Sequence, residues 1–140
     1  MIADASVILA AFFPDENQAQ AQALLRDHVA GHMRLAAPDL LLYEVTNAVL
    51  IAVRRGRIAD EDAEAILSAF EGLGIELCPV AWREMLPLAR RFDRSAYDAA
   101  YLALAEARDE PLVTADLRLY NAVRGELDWV RWIGDSSNRE

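Results

Sequence analysis

Short runs of apolar residues alternate along the chain with longer segments in which apolar residues recur every three or four positions. The short runs predict strands at 1–3, 34–37, 75–78, 111–114 and 127–132. The longer segments predict helices at 6–13, 17–29, 39–55, 60–70, 82–92, 95–108 and 117–123. Asp39 and Asp60 are expected to cap their helices, and Pro87 to start or kink the fifth. The alternation indicates a three-layer α/β fold, with a short, mostly parallel sheet of four to five strands and helices on both faces.

The chain has 140 residues, which fits one domain with a core of its own. We expect that domain to span 1–134 and the end of the chain, 135–140, to be a disordered tail. No apolar run approaches the roughly 20 residues that a membrane-spanning helix needs. Met1 leads directly into a strand without the basic start of a secretory signal, so a cytoplasmic protein is expected. The single Cys78 cannot form an internal disulfide, which agrees with that expectation.

All 14 basic residues are arginine, and 23 acidic residues give a formal net charge of -9. The absence of lysine excludes lysine-dependent chemistry, and the acidity argues against a general nucleic-acid binder. Two local clusters could still guide a polyanion, although each arginine taken singly fits an ordinary solvent-facing side chain. These possible RNA contacts are Arg54, Arg55, Arg57, Arg90, Arg91 and Arg94.

Four carboxylates, those of Asp4, Glu44, Asp98 and Asp116, interrupt segments that otherwise have the composition of a protein core. Asp4 and Asp116 follow predicted strands, and in open parallel sheets ligands bind at the carboxyl ends of the strands. Asp98 is expected in the first turn of its helix. If the four converge, repulsion of about 4 kcal/mol per close pair disfavours an empty, fully ionised cluster. Oxygen ligands without His or Cys suit Mg²⁺ or Mn²⁺.

Glu44 is expected in the middle of a helix, on a face that should pack inward. That face also carries Leu40, Leu41, Ala48 and Ile51, with Asn47 one turn after Glu44. Each acid also has a plainer explanation. Asp4 and Asp116 could be helix N-caps, Ser95 with Asp98 could form a capping pair, and Glu44 could bind an arginine.

The motifs around the four acids occur in a specific order along the chain. They are Asp4-Ala5-Ser6, Glu44 with Asn47, the segment Tyr-Asp-Ala-Ala-Tyr-Leu-Ala-Leu-Ala at 97–105, and Leu-Val-Thr-Ala-Asp at 112–116. Together they resemble the successive motifs of the PIN domain, and more closely those of the small VapC-type toxins of bacterial toxin–antitoxin pairs. The resemblance covers almost the whole chain.

The resemblance implies a PIN-like fold and a metal-dependent ribonuclease that leaves a 5′-phosphate and a 3′-hydroxyl. Asp4, Asp98 and Asp116 would bind one or two Mg²⁺ or Mn²⁺ ions, and Glu44 would complete the site or orient the attacking water. Ser6, Asn47 and Thr114 would support these acids by hydrogen bonds. A cognate antitoxin would be a partner, contributing an Arg or Lys near the acids or an amphipathic helix in an apolar groove.

The pattern of the 39–55 helix adds a homodimer, because Leu42, Leu50 and Val53 lie away from the Glu44 face. The alternative function is a catalytically silent PIN-like module that serves as a protein-binding or scaffold domain. Phosphate-binding glycine motifs are absent from the sequence. His28 and His32 have zinc-ligand spacing but no third ligand nearby, so they are expected to be solvated histidines at a helix end.

Overall fold

In the computed structural model, which describes residues 1–16 and 18–135, a single sheet runs through the centre of the molecule. Its strands are β1 (Ile2–Ala3), β2 (Ala36–Pro38), β3 (Glu76–Cys78), β4 (Leu112–Thr114) and β5 (Val130–Trp132). Their spatial order is β3-β2-β1-β4-β5, and every neighbouring pair is parallel. The predicted fold class is thereby confirmed. Asn17 and almost all of the predicted tail at 135–140 lie outside the described residues.

The helices lie on both faces of this sheet. They are α1 (Ala5–Phe12), α2 (Ala19–Val29), α3 (Leu40–Arg54), α4 (Asp60–Gly72), α5 (Trp82–Phe92), α6 (Ala96–Arg108) and α7 (Leu117–Val123). With the right-handed connections that parallel strands adopt, α1 to α4 cover one face and α5 to α7 the other. No helix in the described part of the chain is long and apolar enough to cross a membrane.

The core lies on both sides of the central strands. Ile2 and Ala3 of β1 and Leu112 and Val113 of β4 have no exposed surface, as expected for parallel strands covered on two faces. The edge strand β3 is more open. Burial of these short strands therefore fixes their carboxyl ends, and with them the residues that follow, inside a rigid frame.

Three of the expected caps form and two do not. Asp4, Ser95 and Asp116 each accept a backbone N–H of the helix that they precede. Asp39 makes no capping bond because its backbone is already helical, with φ −52° and ψ −31°, whereas a capping side chain needs an extended backbone. Asp60 is itself the first residue of α4. Pro87 lies within α5 and does not start it.

The buried face of α3 differs from the predicted one. The fully packed side chains are Leu41, Val45, Val49 and Ala52, while Glu44 is half-buried on the flank of this stripe. Asn47 is exposed. The predicted buried stripe was centred about one position away from the observed one. Glu44 is therefore half-buried and lies at the rim of the core.

His28 is the clearest departure from the sequence expectation. Its side chain is buried, with 8% exposed, and it connects α2 to two other segments. The N–H of Leu35 donates to its Nδ1 at 2.9 Å, and its Nε2 lies 2.7 Å from the carbonyl of Leu73. The neutral tautomer with hydrogen on Nε2 satisfies both bonds. His32 is exposed, as expected, so the prediction was right for His32 and wrong for His28.

Candidate active site

The four predicted acids all lie on elements that meet at the carboxyl edge of the sheet. The connections leave β1 for β2 on one side and arrive at β4 on the other, so the strand order reverses there. Asp4 follows β1 directly, and Asp116 is the second residue after β4. Glu44 and Asp98 lie in the first two turns of α3 and α6, whose N-termini are at this same edge.

Asp4 is held more tightly than the other acids. Only 5% of it is exposed, and both carboxylate oxygens accept a side-chain hydroxyl. Ser6 Oγ donates to Oδ1 and Thr114 Oγ1 donates to Oδ2, each at 2.5 Å. The N–H of Val7 adds a longer bond of 3.3 Å to Oδ1 as the helix cap. Two of the three predicted supporting residues therefore contact Asp4 directly.

Backbone amides fix the direction of these two hydroxyl groups. Ser6 Oγ accepts the N–H of Ala115 at 2.8 Å, and Thr114 Oγ1 accepts the N–H of Asp116 at 3.0 Å. Since a backbone N–H can only donate, each hydroxyl accepts that bond and keeps its own proton for a bond to Asp4. The segment after β4 thus positions the carboxylate that follows β1, which lies 110 residues away along the chain.

Burial raises the pKa of Asp4 from 3.8 to about 6. The hydrogen bonds from Ser6, Thr114 and Val7 oppose this rise, and the charge of Asp116 adds to it. Desolvation of the ionised form therefore outweighs three hydrogen bonds. A carboxylate in this situation gains strongly from a nearby positive charge.

Glu44 is bound by a residue that the sequence reasoning did not single out. Tyr101 of α6 donates its hydroxyl to Glu44 Oε1 at 2.5 Å. Burial raises the pKa of Glu44, with a further contribution from the charge of Asp98, while the bond from Tyr101 lowers it. Burial also raises the pKa of Tyr101, so that its hydroxyl remains a donor at neutral pH.

Asp98 lies in the first turn of α6, where its own N–H donates to the Ser95 cap at 3.0 Å. Burial raises the pKa of its carboxyl, Asp116 adds to the rise, and Arg94 opposes it. The nearest approach of Arg94 Nη1 to Asp98 Oδ2 is 4.0 Å. This ion pair is loose, and it leaves the Asp98 oxygens available to another cation.

Asp116 caps α7 with one oxygen only. Its Oδ1 accepts the N–H groups of Arg118 at 3.0 Å and Leu119 at 3.4 Å. No described residue forms a hydrogen bond with its Oδ2. The capping explanation is therefore correct for Asp116, but it occupies only half of the carboxylate.

Each of the four acids is close enough to at least one of the others for their charges to interact. Asp116 raises the pKa of both Asp4 and Asp98, and Asp98 raises that of Glu44. Within residues 1–16 and 18–135, however, no three His, Cys, Asp or Glu side chains are already arranged to hold a metal ion. The third predicted supporting residue, Asn47, is exposed and contacts none of the acids. The acids thus share one region without forming a closed ligand cage.

The predicted RNA-contact arginines differ in how far they are already occupied. Arg57 binds Asp15 and Glu16 and lies over the ring of Phe13, and Arg91 binds Glu126. Arg54, Arg55 and Arg90 are exposed and form no ion pair with any described residue. A cavity of about 340 Å³ extends from Ser6 and Ala115 to Arg55 and to the ion-paired Arg57. This cavity connects the region of the acids to an exposed, uncompensated arginine.

Comparison with known proteins agrees with this fold and assigns the chain to a family. The family model of the PIN domain matches residues 1–125, and the chain belongs to the PIN domain family. Within that family it is 32% identical over 123 residues to Ribonuclease VapC3 of Pyrobaculum aerophilum, covering 85% of this chain and 91% of that protein. It is 35% identical over 119 residues to Ribonuclease VapC9 of Mycobacterium tuberculosis, covering 85% and 87%.

A solved structure shares the same fold. It is the crystal structure of PAE2754 from Pyrobaculum aerophilum, which matches with a TM-score of 0.72 at 24% identity, over 94% of this chain and 82% of that one. The resemblance drawn from the ordered sequence motifs is therefore confirmed.

Proposed function

We propose that this protein is a Mg²⁺- or Mn²⁺-dependent endoribonuclease of the VapC type and the toxin of a toxin–antitoxin pair. Membership of the PIN domain family and similarity to proteins named VapC ribonucleases support the reaction class. The observation that carries the metal dependence is the meeting of four carboxylates at one sheet edge, three of them with a raised pKa.

The acids suit a hard divalent cation. Asp4, Glu44, Asp98 and Asp116 offer only oxygen, the ligand that Mg²⁺ and Mn²⁺ prefer. In the absence of a cation the ionised forms of Asp4, Glu44 and Asp98 are disfavoured by burial and by neighbouring acids, so a bound ion offsets an existing cost. Because the described acids do not form a closed cage, water would supply part of the coordination, as is usual for Mg²⁺. One or two ions fit this proposal.

When bound, the ion would lower the pKa of a water molecule and neutralise charge on the phosphate oxygens. The chain's own residues contribute orientation and proton transfer. Ser6 and Thr114 hold both oxygens of Asp4 in fixed directions, so this carboxylate is organised before any substrate arrives. Glu44 leaves Oε2 without a partner among the described residues, and its raised pKa suits an oxygen that accepts a proton from the attacking water.

RNA binding has to overcome a net charge of -9. Arg55 at the end of the cavity beside the acids, together with Arg54, would contact backbone phosphates. Tyr43 and Tyr97 are 72% and 65% exposed and immediately precede Glu44 and Asp98, where they could stack on unpaired bases. Limited basic surface favours a folded RNA that presents an exposed loop.

The proposed partners are a second copy of the chain and an antitoxin. Leu42 and Leu50 remain 45% and 42% exposed on the outer side of α3, which supports a homodimer that covers this face. An apolar cavity between α1 and α2, lined in part by Phe12, Leu25 and Val29, would suit an amphipathic helix of the antitoxin. We propose the cytoplasm as the location.

The test compares the wild type with Asp98→Asn and, as a matched control, with Asp128→Asn, whose residue is exposed and precedes the amino end of β5, at the edge of the sheet opposite the acids. We expect Mn²⁺ to raise the unfolding midpoint of the wild type and of Asp128→Asn, and both to cut a labelled stem–loop RNA to 5′-phosphate ends. Asp98→Asn should gain little from Mn²⁺ and should not cut. Equal metal responses in all three proteins would refute the site, and a wild type without cleavage or metal response would favour the silent scaffold alternative.

A further inference from the structure

Tyr101 is the one residue in a buried stretch of α6 whose side chain carries a polar group. The stretch runs from Ala99 to Ala105 and is otherwise made of alanine and leucine, and only 2% of Tyr101 is exposed. A phenylalanine would fill the same core volume without a hydroxyl that needs a partner. The buried hydroxyl therefore has no benefit for core packing, and we expect its role to lie at the group that it contacts.

That group is Glu44, one of the four acids. The bond of 2.5 Å from Tyr101 to Glu44 Oε1 is the one side-chain hydrogen bond between α3 and α6 among the described residues. Tyr101 lies one turn after Asp98 on the same helix. The bond therefore also fixes the position of the Glu44 carboxylate relative to the helix that carries Asp98.

The two partners differ in mobility. A glutamate on a helix flank has three side-chain torsions, whereas a buried tyrosine ring is held by packing on all sides. Among the described residues, the hydroxyl of Tyr101 is the one hydrogen-bond donor to the Glu44 carboxylate. Without the hydroxyl, nothing in the described part of the chain would hold the Glu44 carboxylate beside the other acids.

We propose that Tyr101 is a positioning residue that fixes Oε1 of Glu44 and so leaves Oε2 as the oxygen offered to the metal ion or its water. This inference rests on the proposed function. A residue that orients a metal-binding group by a hydrogen bond commonly contributes about 10- to 100-fold to metal affinity or activity.

The experiment measures Mn²⁺ binding by the electron paramagnetic resonance signal of free Mn²⁺, together with kcat and KM for RNA. We expect Tyr101→Phe to weaken Mn²⁺ binding and lower kcat by about 10- to 100-fold, with KM changed less than about threefold. Tyr120→Phe is the matched control, since no hydrogen bond of its hydroxyl exists among the described residues. It should behave as the wild type.

A double-mutant cycle distinguishes positioning from simple core stability. If Tyr101 acts through Glu44, Tyr101→Phe should change Mn²⁺ affinity less than about twofold in a Glu44→Gln background. The same loss in both backgrounds, or wild-type affinity in Tyr101→Phe, would overturn the inference. If Tyr101→Phe does not fold, Glu44→Asp decides, because the shorter side chain withdraws from the hydroxyl. It should show the same loss, and full Mn²⁺ affinity would overturn the inference.

These outcomes are separable from failure of the proposed function. A wild-type protein that neither binds Mn²⁺ nor cuts RNA would end the nuclease proposal before Tyr101 is considered. A wild type that does both, beside an equally competent Tyr101→Phe, would leave the nuclease proposal standing and refute only the role of Tyr101.

Discussion

The metal-free protein should lose stability as the pH rises from about 5 to about 7.5, and Asp4 should account for a measurable part of that loss. The pKa of Asp4 is about 6 in the folded protein, against an ordinary value of 3.8 for an aspartate side chain. A raised pKa means that the folded state keeps a proton which the unfolded chain has released. The stabilisation is therefore complete below pH 3.8 and disappears as the pH rises through about 6.

The magnitude follows from the size of the shift. One pKa unit corresponds to about 1.4 kcal/mol, so the full effect is about 3 kcal/mol, and about 1.4 kcal/mol of it falls between pH 5 and pH 7.5. For a domain of this size that is a fall of about 4 °C in the unfolding midpoint. Asp4 is almost fully buried, so solvent screening does not reduce this value substantially.

Thermal unfolding by circular dichroism in EDTA, at about pH 5 and about pH 7.5, measures the effect. Glu44 and Asp98 also have raised pKa values and shift the wild-type curve in the same direction. Asp15 and Glu110 have pKa values lowered from 3.8 and 4.5, so their titration affects stability below this pH range. The comparison with Asp4→Asn isolates Asp4, because the variant has no carboxyl to titrate there. Its midpoint should fall by about 4 °C less than that of the wild type.

Excess Mn²⁺ at about pH 7.5 should restore the lost stability in the wild type and not in Asp4→Asn. Identical pH dependence of the two metal-free proteins would show that burial does not hold the pKa of Asp4 above its ordinary value. The argument that the site favours a cation because its acids are costly when ionised would then fail at its most buried member.

Two further predictions concern side chains outside the acid cluster. His28→Ala should lower the free energy of unfolding by about 2–4 kcal/mol, because it leaves the two backbone groups that His28 bonds without partners; the exposed His32→Ala should change it by less than about 0.5 kcal/mol, and urea denaturation measures both. Equal effects of the two would contradict the buried position of His28. Arg55→Ala should raise KM for RNA by about 3- to 10-fold with kcat unchanged, more strongly at low salt. Arg57→Ala should raise it less, because two acids already occupy that guanidinium, and a larger effect than Arg55→Ala would refute this ranking.

The parallel sheet and most helix bounds could be predicted because they depend on local periodicity and on short apolar runs. The acids at strand ends could be predicted for a related reason, since a charge within a buried segment needs a specific partner. The cap at Asp39 could not, because it depends on backbone angles that the residue type does not determine. Nor could the burial of His28, whose partner Leu73 lies 45 residues further along the chain.

Tyr101 shows the same limit within the site. In the sequence it is one more large residue in an apolar helix, and the pattern gives no sign that its hydroxyl reaches a carboxylate 57 residues earlier. The signal that could have found it is chemical: a tyrosine among alanines and leucines has a hydroxyl that must be satisfied. Positions of this kind can be flagged from sequence, but the partner requires the fold.

The choice between helix caps and metal ligands, which the sequence left open for Asp4 and Asp116, is not a real alternative. Both residues cap helices, and α3 and α6 also begin at this edge, so four helix N-termini face the acids. Each N-terminus stabilises a nearby negative charge by about 0.3–1 kcal/mol. For Asp4 the pKa of about 6 already includes the capping bond from Val7, and it still implies a cost of about 3 kcal/mol for the ionised carboxylate. The helix ends therefore reduce the free-energy cost of ionising the clustered carboxylates but leave most of it in place. A divalent cation would offset the part that remains.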